Sequence, residues 1–264
     1  LLDELGAMLG REARQSGVDM LLGPGVNIKR SPLCGRNFEY FSEDPYLAGQ
    51  LAAAFIQGVQ RTSVAACVKH FAANSQENRR KAVNSILEER TLREIYLPAF
   101  EQAVQAGVKA VMTSYNKVNG EYPAQNRHLS KEILRGEWGF QGVLVTDWGA
   151  MDRVVPSIQA GLDLQMPGDD GSSAAKIEAA VKCGELSQED LDASVERILR
   201  LIAWQKEQAK KQPVETVTAQ AGHALAAKIA KESIVLLKNQ GNILPLDPSD
   251  SIAVIGEMAK APRY

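Results

Sequence analysis

Short apolar runs alternate with long amphipathic stretches along most of the chain. Residues 18–22, 64–68, 108–113, 143–146 and 162–166 are rich in Val and Leu with few polar interruptions. That is the pattern of strands buried on both faces of a parallel sheet. Between them, helical spacing predicts helices over 45–60, 88–106, 129–138, 151–159, 174–182 and 186–206. Ser187 ahead of Glu189 and Asp190 reads as the start signal of the last one. Leu1, Leu2, Leu5, Met8 and Leu9 open the chain in an amphipathic helix pattern. Gly17, Gly107, Gly142 and Gly161 each stand directly before a strand, where a helix terminates at glycine. Strand–helix–strand repetition of this kind predicts a parallel sheet, either open or closed into a barrel.

The residues that follow the strands decide between those two. Gly23-Pro24-Gly25, Lys69-His70-Phe71, Ser114-Tyr115-Asn116, Asp147-Trp148 and Pro167-Gly168-Asp169-Asp170 stand just beyond successive apolar runs. Functional groups supplied by many strand ends belong to a (β/α)8 barrel, whereas an open doubly wound sheet gathers its site at one switch point. The expected fold class is therefore α/β, with a TIM-like barrel over residues 1–204. Only five strands are countable, so a further βα unit is expected upstream. Residues 205–218, polar and rich in Lys and Gln around Pro213, are expected to form a linker. Beyond it, a helix over 221–231 and strands over 234–237 and 252–255 predict the start of a second α/β domain, 219–264. Leu1 falls inside a helix pattern and Tyr264 just after an apolar run, so both ends are expected to continue into more chain.

Composition narrows the partners. With 45% hydrophobic and 23% charged residues, the chain is ordinary for a globular protein, and no run approaches the roughly 20 apolar residues of a membrane span. A net charge of -2 without a basic run gives no reason to expect nucleic acid or an anionic membrane as partner. Cys34, Cys67 and Cys183 are too few and too scattered for a disulfide framework or a zinc site. Neither a metal nor a cofactor is expected, and nothing fixes the compartment.

Asp147 is the most informative position. It ends an apolar strand and precedes Trp148, so its carboxylate would project into a barrel mouth beside a flat aromatic face. Sugars present flat C–H faces, and carboxylate plus aromatic suits them; the alternative is that Asp147 caps the next helix. Lys69 and His70 end another apolar strand. A lysine there wants an anion or a set of hydroxyls, and it would hold a neighbouring carboxylate ionised; a rim ion pair would also place it there. His70 alone reads equally as a hydrogen-bonded core histidine or a ligand. Arg36 lies in the long loop 23–44, whose aromatics argue against disorder. It either offers a planar fork to two oxygens or braces the loop against Glu39, Glu43 or Asp44. Tyr115 is placed to hydrogen-bond a catalytic carboxylate, and Met112 reads as core more readily than as a contact. Of the remaining carboxylates, Asp163 looks structural and Glu77 is possible in a loop. The residues alone give a cationic, aromatic barrel mouth around one carboxylate.

Taken together, the clusters resemble glycoside hydrolase family 3, the β-glucosidase group. The segments that carry the resemblance are Gly-Arg-Asn-Phe-Glu-Tyr-Phe-Ser-Glu-Asp-Pro (35–45), Lys-His-Phe (69–71), Ser-Tyr-Asn-Lys-Val-Asn-Gly (114–120), Trp-Gly-Phe-Gln-Gly (138–142) and Thr-Asp-Trp (146–148). Met-Pro-Gly (166–168) and Ile-Val-Leu-Leu-Lys-Asn (234–239) continue it in order. The resemblance implies that Asp147 is the nucleophile forming a covalent glycosyl-enzyme. It implies that Arg36, Lys69, His70 and Arg80 bind sugar hydroxyls, with Tyr115 and Trp148 lining the same pocket and Met112 a weaker contact. Arg80 enters only in this way; beside Arg79 and Lys81 it reads as a solvated charge run. The N-acetylglucosaminidase branch carries Lys-His-Phe-Pro-Gly, whereas Lys-His-Phe-Ala-Ala-Asn stands here, which favours the glucosidase-like branch. A β-glucoside or short β-linked oligosaccharide is the implied substrate, and the acid/base carboxyl is expected from the remainder of the second domain. The alternatives are a β-xylosidase or arabinosidase of the same family, or a sugar-binding barrel without catalysis. A dinucleotide site at Ile-Ala-Val-Ile-Gly (252–256) lacks the further glycines of that fingerprint.

Overall fold

Alternation in the sequence becomes alternation in space. The computed structural model describes residues 1–262 except Gln212 and Val214, in two units, Leu1–Leu225 and Ala226–Tyr264. In the first unit, α1 (Leu2–Gln15) leads to β1 (Met20–Leu21) and α2 (Pro45–Gln60) to β2 (Ala65–Phe71). Asp44 starts α2 by accepting the Leu47 N–H at 2.8 Å, with Pro45 in the first turn, where its missing donor costs nothing. A small parallel pair of β3 (Asn84–Ser85) and β5 (Lys117–Val118) was not among the expected elements. Between these two strands lie α3 (Glu89–Thr91), a π-helical turn Leu92–Tyr96, α4 (Pro98–Gln105) and β4 (Ala110–Thr113). A second π-helix, His128–Glu137, precedes β6 (Val143–Val145), and α5 (Val154–Gln159), α6 (Ser172–Cys183) and α7 (Gln188–Lys211) complete the unit's main helices.

The sheet runs β1-β2-β4-β6, parallel throughout. A parallel bridge between Val145 and Leu164 extends it, so the expected 162–166 strand lies beside β6. Apart from the small β3–β5 pair, sheet order follows chain order with no switch point. This is an arc of a (β/α)8 barrel, as expected. Its two faces bury different residues. Ala66, Val68, Val111 and Leu144 join the main core with Ile56, Phe100, Leu129 and Ile133 from the helices. Cys67, Ala110, Met112, Val143 and Val145 form a second cluster with Met20, Met166, Ile198 and Leu201. Burial on both faces is why the strands read as unbroken apolar runs.

Helix contacts account for several glycines. A Cβ on Gly6 would lie 2.3 Å from the Phe55 carbonyl oxygen, and one on Gly58 only 2.2 Å from that of Asp3. The backbones of α1 and α2 therefore meet directly.

Three expectations need correction. The helix foreseen over 88–106 is broken, because Pro98 has no N–H to donate and its ring crowds the preceding turn; Leu97 N–H instead reaches back five residues to the Leu92 carbonyl at 3.0 Å. The linker foreseen from 205 starts later. Ser187 accepts the Asp190 N–H at 3.0 Å to start α7, and Gln205 on Asp19 Oδ1 (2.6 Å) and Trp204 under the Lys109 ammonium (5.1 Å) hold the helix beyond 204. Gln212 and Val214 of that linker lie outside the described residues. Finally, the strands foreseen over 234–237 and 252–255 are not formed. After α8 (Ala219–Ser233), the described residues of the second unit form only a 3-10 turn, Gln240–Asn242, and α9 (Glu257–Lys260). Ile234–237 and 252–255 are exposed, and a strand needs a neighbour to pair its backbone groups. Arg263 and Tyr264 of the expected second domain lie outside the described residues.

Candidate active site

The ends of β2, β4 and β6 converge. Lys69 pairs in register with Met112, and Met112 with Val145. Side chains alternate along a strand, so Asp147, two residues beyond Val145, follows the same side one level higher. The β2–β4 register shifts between Lys69 and Phe71, and the Lys69–His70 peptide is cis. His70 Nε2 lies 3.6 Å from Asp147 Oδ2.

Asp147 does not cap a helix. The residue at the start of α5 is Arg153, and the Asp147 carboxylate is held locally, Oδ1 accepting the Trp148 N–H at 2.6 Å. Its Oδ2 is buried and accepts no hydrogen bond from a described residue. Tyr115, buried after β4, donates its hydroxyl to the Trp148 carbonyl at 2.7 Å, while the Trp148 ring itself is 63% exposed. Burial first, and then the Asp147 charge, push the Tyr115 phenol above its usual range.

Three cations complete the surroundings, each with a carboxylate. Arg36 Nε bonds Glu39 Oε1, and Lys69 Nζ lies 3.3 Å from the other oxygen of the same carboxylate. Glu39 thus braces both, the bracing foreseen for Arg36 and extended to Lys69. Arg80 donates to Glu77 at 2.7 Å, and Asn74 reaches the second Glu77 oxygen at 3.2 Å. Arg80 is not a solvated charge: its guanidinium carbon lies 4.4 Å from the Tyr115 ring centroid, a cation–π contact. Burial first, then Arg36, Lys69 and Arg80, lower the His70 pKa to about 2, so its imidazole is neutral.

The structure therefore brings Arg36, Lys69, His70, Arg80, Tyr115 and Asp147 to one end of the sheet. Met112 packs in the second apolar cluster below Lys69. Asp163 is structural, clamped by Arg135 at 2.7 Å and Arg197 at 2.8 Å. Two residues behind His70 escaped the sequence reading, Asn27 and Tyr40. Asn27 is buried between Val26 and Ile28, and a polar residue flanked by two apolar ones inside a loop is the signal that could have found it. Among the described residues, no group of three or more His, Cys, Asp or Glu side chains could hold a metal ion.

These residues define an α/β barrel domain whose strand ends hold a carboxylate among arginine, lysine and neutral histidine. A family model described as glycosyl hydrolase family 3 N terminal domain matches residues 1–201, and the chain belongs to that family. It is 53% identical over 265 residues to thermostable beta-glucosidase B of Acetivibrio thermocellus, covering all of this chain and 35% of that protein. An exo-alpha-(1->6)-L-arabinopyranosidase of Bifidobacterium breve is 43% identical over 274 residues, covering all of this chain and 36% of that one. The solved structure of beta-glucosidase 3B from Thermotoga neapolitana in complex with glucose superposes with a TM-score of 0.85 at 44% identity, over 93% of this chain and 35% of its own. The chain spans about a third of the length of the relatives it matches.

Proposed function

We propose that this chain carries the nucleophile half of a retaining β-glucosidase. The observation that carries the reading is Asp147 Oδ2, a buried carboxylate oxygen without a described hydrogen-bond partner, in a pocket of cationic and neutral donors. A retaining glycosidase uses one carboxylate to attack the anomeric carbon while a second carboxyl, about 5–5.5 Å away, protonates the departing oxygen. Asp147 is the attacking group. Its Oδ1 is fixed by the Trp148 N–H, which leaves Oδ2 free to form the new C–O bond as the glycosidic bond breaks. Water then hydrolyses the ester, the second carboxyl acting as base. Arg36, Lys69, His70 and Arg80 donate to hydroxyls of the bound sugar, while Tyr115, Trp148 and Met112 shape its pocket. Glu77 has both oxygens engaged by Arg80 and Asn74, and the family resemblance implies an acid/base from the remainder of the second domain.

The test is to trap the ester. An activated 2-deoxy-2-fluoro glucoside slows both steps and, with a good leaving group, leaves the sugar on the enzyme. In the full-length protein the label should fall on the peptide holding Val145-Thr146-Asp147-Trp148. Asp147→Asn should lose several orders of magnitude in rate while still binding glucose. A label on another carboxylate would overturn the assignment. The arabinopyranosidase relative supports a second reading, a pentoside as substrate. A panel of aryl glucosides, xylosides, arabinosides and N-acetylglucosaminides decides between the two, and failure to cleave any of them would leave a sugar-binding barrel.

A further inference from the structure

Behind His70 stands a buried polar arrangement that the nucleophile, as described so far, does not require. Asn27 grips the His70 backbone twice: its Nδ2 donates to the His70 carbonyl at 2.9 Å, and its Oδ1 accepts the His70 N–H at 2.9 Å. Those two bonds fix which end of the amide faces the ring. It is the oxygen, 3.2 Å from His70 Nδ1. The Tyr40 hydroxyl also lies 3.2 Å from Nδ1, with the two rings edge to face. Tyr40, Asn27 and His70 are all buried.

A neutral imidazole carries one proton, and two placements compete. With the proton on Nδ1, it would point at Asn27 Oδ1, whose second lone pair could accept it beside the His70 backbone N–H. The buried Tyr40 O–H would then have no acceptor among the described residues, and the Nε2 lone pair would face Asp147 Oδ2. With the proton on Nε2, Tyr40 donates to Nδ1, Asn27 Oδ1 keeps its backbone donor, and an N–H faces the one Asp147 oxygen that lacks a partner. The second placement leaves the Nδ1 lone pair 3.2 Å from Asn27 Oδ1, but it alone gives the buried Tyr40 O–H an acceptor and turns a donor toward Asp147, and buried donors are seldom left unmade. At 3.6 Å the Nε2 contact is longer than a hydrogen bond, as such contacts often are before substrate binds.

We propose that Tyr40 is a positioning residue that fixes His70 as the Nε2–H tautomer, so that the imidazole presents a donor, not a lone pair, to Asp147 and the sugar beside it. The inference rests on Asp147 being the reactive carboxylate, but the tautomer itself can be measured without any substrate. The charged and titratable groups around His70 are Asp147 after β6, Tyr115 after β4, Lys69 on β2, Arg36, Glu39 and Tyr40 in the 23–44 loop, and Arg80 and Glu77 beyond β2. Tyr40→Phe leaves every charge of that set in place.

The experiment uses full-length enzyme labelled with ¹⁵N-histidine, the His70 signals being those lost in His70→Gln. In the parent, Nδ1 should show the shift of an unprotonated ring nitrogen and Nε2 that of a protonated one. In Tyr40→Phe the pattern should invert, the proton moving to Nδ1 and Asn27. The plateau of kcat/KM should fall roughly ten- to hundredfold. A parent with the proton on Nδ1 would overturn the proposal even if Tyr40→Phe did not fold. So would a Tyr40→Phe enzyme of lowered Tm but unaltered tautomer. A parent with the Nε2–H tautomer but no glycosidase activity would instead count against the proposed function and leave the tautomer assignment standing.

Discussion

At Lys69 two requirements meet in one side chain. Its ammonium lies 3.3 Å from Glu39, yet it stands next to His70, which faces Asp147, where in the proposed reaction a sugar hydroxyl would compete for it. The pair is mostly buried, but Glu39 keeps Arg36 as a partner when the lysine is removed, so little stability should be lost. A charged hydrogen bond formed with the transition state is worth roughly 1.5–3 kcal/mol. Lys69→Ala should therefore lower kcat/KM of the full-length enzyme about ten- to hundredfold with little change in Tm. Unchanged kinetics with a lower Tm would assign Lys69 to the loop brace alone. Lys69, His70 and Asp147 were legible because each is a polar residue at the end of an apolar run. Asn27 and Tyr40 were not, because their meaning depends on a partner 43 or 30 residues away, and no local pattern encodes that distance. Arg80 was legible only through the family resemblance: beside Arg79 and Lys81, nothing in the composition tells which of the three pairs with Glu77.

At the level of elements, hydrophobic spacing located the strands of the main sheet and most helices, since both follow from which faces are buried. It missed the breaks. Pro98 lies inside an otherwise regular amphipathic pattern, and its effect on the Leu97 hydrogen bond is a matter of backbone donors, not of polarity. It also missed the meaning of Gly58, which in an isolated helix is only a weak helix former. Against α1 it is a steric requirement, with the Asp3 carbonyl oxygen 2.2 Å from where a Cβ would stand. Gly58→Ala should force the two helices apart at a cost of about 1–3 kcal/mol. Differential scanning calorimetry should report a Tm lower by roughly 2–4 °C for each kcal/mol. A Tm equal to or above the parent's would mean that the contact yields and the helix preference of alanine prevails.

For the whole molecule, the barrel arc and the second unit differ in how well the sequence forecast their strands. The arc forms as expected because its strands find one another within the chain. Residues 234–237 and 252–255 carry the same apolar signature and remain without a strand neighbour, because pairing is a property of two segments and a sequence pattern describes one. Ile234, Val235, Leu236 and Leu237 are 76%, 75%, 59% and 92% exposed. Such a run is uncharged, free of proline and β-prone, the composition of a self-complementary cross-β segment. Its consequence is colloidal. Prepared as residues 1–264, the polypeptide should assemble with time and concentration into species that bind thioflavin T, seeded by this tetrapeptide rather than by the barrel. Leu236→Lys places a gatekeeping charge in the run and should lengthen the lag of that assembly severalfold while leaving the barrel's circular dichroism unchanged. Identical lag times for the two polypeptides would move the source of aggregation elsewhere in the chain.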